Sequence, residues 1–66
     1  MTNRIKVERA ILNLTQEELA NRISVSRQTI NAMEANKYVP STVLALKIAK
    51  VFDKPVEQIF FLDAED

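Results

Sequence analysis

An all-α domain of five short helices is the fold class that this 66-residue sequence predicts, and three observations carry the prediction. Apolar residues recur at helical spacing in successive segments, as in Leu19, Ala20 and Ile23 or Leu44, Ala45, Ile48, Ala49 and Phe52. Residues that cap helices stand just ahead of four of these segments, namely Asn3, Thr15, Ser26 and Ser41. The linkers between them are brief, and no repeat, low-complexity tract or domain boundary interrupts the chain, so residues 1–66 read as one domain.

Each element follows from local signals. Asn3 caps a first helix running to about Leu12, with Ile5, Arg9 and Leu12 on one face. Thr15 and Glu18 form an S/T-x-x-E capping box, so a second helix starts near Gln16. Leu19, Ala20 and Ile23 give it one buried stripe, and Ala20 is small where another helix can cross closely. Ser24, Val25 and Ser26 make the turn. Ser26 caps a third helix whose Ile30 and Met33 point inward, while Val25 anchors the turn to the core. Lys37-Tyr38-Val39-Pro40 is the longest connection, and Pro40 stops anything helical before Ser41 caps the fourth helix. Pro55 sits at or beside the start of a short fifth helix containing Val56, Ile59 and Phe60. Segment 60–63 can alternatively form a short C-terminal strand.

The third helix leaves Arg27, Gln28, Asn31 and Ala32 facing outward near its N-terminal end. These residue types match what a DNA major groove presents. Arg donates two parallel hydrogen bonds to guanine O6 and N7, Gln or Asn pairs with adenine N6 and N7, and Ala sits against a thymine methyl. The positive end of the helix dipole lies near the phosphates, and Gln16 at the start of the preceding helix is placed to hold a backbone phosphate. On an isolated helix such residues would be an ordinary solvated face. The three-residue turn and the matching apolar positions instead make residues 16–35 a helix-turn-helix motif, with a recognition helix at about 27–35.

Composition narrows the alternatives. With no cysteine and no histidine, the chain has no disulfide, no thiolate or imidazole metal site and no Ser-His or Cys-His nucleophile. Paired carboxylates such as Glu17 and Glu18 are explained by the helix start they occupy. The expectation is therefore a protein without enzymatic activity, cofactor, metal or small-molecule ligand. No apolar run reaches the roughly 18 residues of a membrane span and no signal peptide is visible, so no membrane association is expected. The formal net charge of zero conceals a polarity. Residues 1–50 carry eight basic side chains against four acidic ones, +4, and residues 51–66 carry one against five, −4. A basic part that approaches phosphate and an acidic tail kept from it reconcile neutrality with DNA binding.

The segments LTQEELA, VSRQTINAME, KYVPS and LALKIAKVF, in this order and spacing, resemble the Cro/C1-type helix-turn-helix regulators, the Xre family. The resemblance spans nearly the whole chain and looks closest to minimal stand-alone repressors of the cytolysin-repressor kind. It implies a five-helix lambda-repressor-like fold, a cytoplasmic protein of prokaryotic or phage type, and a repressor that binds a palindromic operator as a homodimer. By position it implies that Arg27, Gln28, Asn31 and Ala32 face base edges, that Gln16, Thr29, Lys37 and Tyr38 approach the backbone, and that Arg9 pairs with Glu34. Their inward or boundary positions agree with the last point, since a lone charge there would be costly. The chain departs from the family in lacking glycine, which the family places at helix ends and in the turn. Asn13, Ser24, Asn36 and Asp53 occupy those places. Asn and Asp tolerate the left-handed conformation that such positions need, and Ser24 is the awkward substitute.

A homodimer is also the physical expectation, because one recognition helix reads only about three to five base pairs. Ile59, Phe60, Phe61 and Leu62 in the tail, residues 59–66, form the candidate interface, with Val7 and Ile11 as a second exposed apolar pair. The alternatives are that the tail folds back over its own core, or that Phe61 and Leu62 dock on another protein, as in an antitoxin or anti-repressor.

Overall fold

The capping signals act where the sequence places them. In the computed structural model, which describes residues 1–66, the Thr15 hydroxyl accepts from the Glu18 amide and the Glu18 carboxylate accepts from the Thr15 amide, both at 3.0 Å. This reciprocal pair opens α2, Gln16–Ile23. The hydrogen bond from the Thr15 amide holds the Glu18 carboxyl below its ordinary range, so the cap carries its charge at the positive end of the helix dipole. The Ser26 hydroxyl accepts from the Thr29 amide at 3.1 Å and opens α3, Arg27–Glu34. The Ser41 hydroxyl accepts from the Leu44 amide at 3.2 Å and opens α4, Thr42–Phe52.

The first helix differs from its expectation. α1 covers Ile5–Ile11, and its cap, Arg4, makes no side-chain bond to the helix. Asn3 instead belongs to a strand, β1, Thr2–Asn3. Its side chain accepts from the Ile5 amide at 3.1 Å and donates to the Met33 carbonyl at 2.8 Å, which joins the chain start to the last turn of α3. Leu12, expected inward, is 46% exposed, because α1 ends at Ile11 and Leu14 enters the core in its stead.

The fifth helix is likewise reduced to one 3₁₀ turn, Val56–Gln58, so the helix count is four α-helices rather than five. Phe60–Phe61 forms β2, antiparallel to β1, with Thr2 opposite Phe61 and Asn3 opposite Phe60. Only three residues separate Pro55 from Ile59, too few for a helix to repay its costly nucleus. The backbone of Phe60 and Phe61 is satisfied by strand pairing within the same chain, which aromatic residues suit.

The core lies where α2 and α3 cross and α4 packs beneath them. Ile5, Leu14, Leu19, Ala20, Ile23, Ile30, Met33, Leu44, Ile48, Ala49, Phe52 and Ile59 form one buried cluster, with Val25 packed against it. Fully burying such aliphatic side chains contributes roughly 1.5 to 3 kcal/mol each before entropy is charged. Ile59 is 0% exposed, a correction to its place in a dimer interface, since a side chain sealed in its own core cannot touch a partner. Phe60 is half-buried against the same cluster, whereas Phe61 and Leu62 are 38% and 79% exposed.

One acidic side chain is buried with the apolar ones. Glu8 is 3% exposed and accepts from the Lys54 ammonium at 2.8 Å, with the Arg4 guanidinium 3.6 Å away. This pair clamps α1 to the connection after α4. The amino group of Met1 lies 2.8 Å from Asp66 and 3.0 Å from Asp63, so the acidic tail is tied to the chain start.

Asn13, Ser24, Asn36 and Asp53 all have φ between 54° and 60°. A non-glycine residue in that region costs about 1 to 2 kcal/mol, least for Asn and Asp, so Ser24 carries the least relieved strain. Ser24→Gly is expected to raise stability by about 1 kcal/mol, read as a higher denaturant midpoint at unchanged slope. A second expectation concerns pH. The hydrogen bond from Lys54, opposed by burial and aided by the charges of Lys54 and Arg4, holds the Glu8 carboxyl below its ordinary 4.5. Its stabilisation is therefore complete above pH 4.5 and is lost as pH falls through the lowered folded value. In acid titrations of stability, Glu8→Gln should flatten that loss while lowering stability at neutral pH.

Candidate nucleic-acid interface

The site is built on the two helices of the motif and held by α1. Ala20, 2% exposed, lets α2 and α3 approach closely, and Ser24 closes α2 with a left-handed residue at φ 60°, ψ 45°. The chain thereby turns in three residues and presents the N-terminal end of α3 to solvent. Ile30 and Met33 are both 0% exposed and fix the inner side of α3. The helix has therefore no freedom to rotate, and the opposite face is defined.

On that face Arg27, Gln28 and Asn31 are exposed and Ala32 is half-buried. Gln16 is the link between the helices. Its amide nitrogen donates to Asn31 Oδ1 at 3.3 Å and to Glu34 Oε1 at 3.1 Å, and its carbonyl accepts from Arg27 Nε at 3.4 Å. Arg27 and Asn31 are thus brought together with Gln16, which limits the rotamers they must give up on binding. Thr29 is half-buried, with its hydroxyl 3.0 Å from Ser26 Oγ. Tyr38, 43% exposed, joins Ser26, Gln28, Thr29 and Ala32 around an open cleft of about 240 Å³ beside the start of α3. Lys37 is exposed, and its amide donates to the Ala32 carbonyl at 2.9 Å, ending α3.

Arg9 and Glu34 lie under this surface. Arg9 Nε donates to Glu34 Oε2 at 2.6 Å and its Nη2 to Oε1 at 3.1 Å, while Nη1 donates to the Leu14 carbonyl at 2.8 Å. The two parallel bonds are the bidentate geometry of guanidinium on carboxylate. The hydrogen bonds it donates to Glu34 raise the guanidinium's hold on its proton against the opposing effect of burial. Glu34 also receives the Gln16 amide, so one carboxylate ties the frame to the exposed face.

Sequence reasoning assigned no role to two residues, Lys6 and Glu8. Lys6 lines an open cleft of about 260 Å³ with Arg9, Gln16, Asn31, Glu34 and Ala35. Its spacing of three from Arg9, which puts both on one helix face, was the available signal. Glu8 is held chiefly by Lys54, 46 residues away, which no local pattern announces. The remaining cations gather elsewhere, as Arg22, Lys47 and Lys50 surround a separate cleft of about 430 Å³ over Ile23 and Val51. No group of His, Cys, Asp and Glu is arranged to hold a metal ion, and no helix is long and apolar enough to cross a membrane.

A family model described as helix-turn-helix matches residues 5–59. An uncharacterised HTH-type transcriptional regulator of Methanocaldococcus jannaschii is 52% identical over 66 residues, covering 100% of both chains. The HTH-type regulator YgzD of Bacillus subtilis is 44% identical over 66 residues, again across 100% of both. Among solved structures, a Bacteroides fragilis protein assigned as DNA-binding superposes with a TM-score of 0.79 at 33% identity, covering 88% of this chain and 94% of that one.

The ion pair makes a quantitative expectation. Glu34→Ala should leave the Arg9 guanidinium underpaired and lower unfolding free energy by about 3 kcal/mol. Arg9→Met combined with Glu34→Ala should recover part of it, and urea unfolding of the native protein, the two single variants and the double variant measures the coupling; additive single effects would show that the pair does not cooperate.

Proposed function

The chain belongs to the Cro/C1-type, or Xre, helix-turn-helix family of DNA-binding transcriptional regulators, and from that premise we propose that it is a repressor acting as a homodimer on a palindromic operator. Occlusion of promoter DNA is the mechanism, and the protein works in the cytoplasm. The observation that carries this reading is the outer face of α3, where Arg27, Gln28 and Asn31 are exposed to solvent while Ile30 and Met33 hold the helix from behind.

In this reading Arg27 donates to guanine, Gln28 and Asn31 pair with adenine, and Ala32 meets a thymine methyl. Gln16, Thr29, Lys37 and Tyr38 take backbone phosphates. Phosphate contacts supply most of the affinity and make it salt-dependent, while the base contacts supply discrimination.

The dimer surface is Phe61 and Leu62, the apolar residues of the tail that β2 leaves on the outside. They are support for association of some kind, and a second copy is the partner that a palindromic site requires. If they receive a different protein instead, the chain is an antitoxin or anti-repressor on the same fold.

Selection of bound sequences from a random duplex pool at near-physiological salt tests the proposal. The native protein should enrich a palindrome with half-sites about one helical turn apart, and Arg27→Ala with Gln28→Ala should abolish the enrichment. Arg27→Ala alone should cost roughly 1 to 3 kcal/mol at one base pair, whereas an equal loss on operator and random DNA would show that it touches only phosphate. Phe61→Ser should lower both the solution mass and the operator affinity; unchanged values would remove the tail from the dimer.

A further inference from the structure

Arg22 at the end of α2 and Lys47 and Lys50 on α4 surround an open cleft of about 430 Å³ above Ile23 and Val51, and no acidic side chain lines it. All three cations are exposed, and none enters an ion pair, unlike Arg4, Arg9 and Lys54. Arg22 and Lys50 stand in the last turns of α2 and α4, where a positive charge offsets the negative helix end. Lys47 has no such role, and like charges three apart on one helix face repel. The floor is aliphatic, with Ile23 buried and Val51 half-buried. Three uncompensated cations over such a floor suit a segment in which apolar residues and carboxylates are neighbours.

The chain itself carries such a segment. Phe61 and Leu62, exposed on the tail, are followed at once by Asp63, Glu65 and Asp66. The Met1 amino group is 3.0 Å from Asp63 and 2.8 Å from Asp66, and Glu65 enters no ion pair, so three carboxylates share one ammonium. Within its own chain the tail is held at the chain start by that contact and by the pairing of β2 with β1, whereas the cleft belongs to α2 and α4. We propose that the cleft of Arg22, Lys47 and Lys50 receives residues 61–66 of a second copy, with Phe61 and Leu62 against Ile23 and Val51 and the tail carboxylates against the three cations. The inference rests on the homodimer reading above and names the surface that receives the tail. The exchange is reciprocal about a two-fold axis, so each dimer holds two such contacts. The cleft shares no lining residue with those beside α3, so the tail and DNA draw on different residues.

Sedimentation equilibrium tests the exchange on four samples: the native protein, Lys47→Glu with Lys50→Glu, Asp63→Lys with Glu65→Lys, and an equimolar mixture of the two variants. The native dimer should weaken as salt rises from about 50 to about 500 mM, because the paired charges lie at the surface. Each variant alone sets like charges face to face and should raise the dissociation constant of the dimer at least about tenfold. The mixture should form a heterodimer within about threefold of the native affinity, since one contact joins a reversed tail to a reversed cleft and the other is native. A mixture that associates no better than either variant, or a reversed cleft that dimerises as the native protein does, overturns the exchange. In the latter case weaker binding to a random-sequence duplex assigns the three cations to DNA phosphate, and unchanged binding leaves them to an acidic segment of another protein. If the native protein is a monomer throughout, the homodimer reading falls and the exchange with it. If the native protein is a dimer and neither reversal weakens it, the exchange alone is lost. Recovery in the mixture separates a lost contact from lost folding, since two misfolded chains would not restore each other's affinity.

Discussion

Arg9 reaches from α1 past the start of α2 to the last turn of α3, and its three hydrogen bonds to Glu34 and the Leu14 carbonyl fix those segments against one another. The side chains are 15% and 7% exposed, so neither charge can be left alone without a large desolvation cost. That cost turns an ion pair into a constraint on geometry. An aliphatic pair of the same size would fill the space, but it would not set the rotation of α3 by two parallel bonds. Glu34 then extends the constraint outward by accepting the Gln16 amide, whose carbonyl meets Arg27. The presentation of the exposed helix face is thus continuous with the part of the core that cannot tolerate rearrangement.

A domain of this size has a small core, and here polar clamps supplement it. Glu8 with Lys54 fastens α1 to the segment after α4, Asn3 fastens β1 to the end of α3, and the Met1 amino group holds Asp63 and Asp66. The last pair is exposed and contributes little to stability. Its consequence is electrostatic, because it gives part of the tail's negative charge a partner within the chain.

The absence of glycine shows how much local strain such a fold accepts. All four left-handed positions are filled by residues with a side chain, and three of them are Asn or Asp, whose short polar groups tolerate that region. Chains without glycine lose less backbone entropy on folding, which offsets part of the strain. At Ser24 the strain coincides with the turn on which the crossing of α2 and α3 depends.

The motif was legible in the sequence because its causes are local. Thr15, Glu18, Ser26 and Ser41 cap helices through atoms three residues away, and the inward positions of Leu19, Ala20, Ile23, Ile30 and Met33 follow from a period of 3.6. The left-handed places were legible for the same reason. What the sequence could not decide is how the two ends meet. Asn3 has the chemistry of a cap, yet it pairs in a strand and reaches Met33, 30 residues away. Ile59 and Phe60 fit an apolar helix, yet one enters the core and the other joins a strand with Asn3. Glu8 is buried beside Lys54, 46 residues on, whose ammonium lies 2.8 Å away. Capping and periodicity act within a turn of helix, so the sequence by itself determined the motif and the face it exposes. Strand pairing and burial of charge depend on partners that only the closed chain brings together, and those the tertiary structure decided.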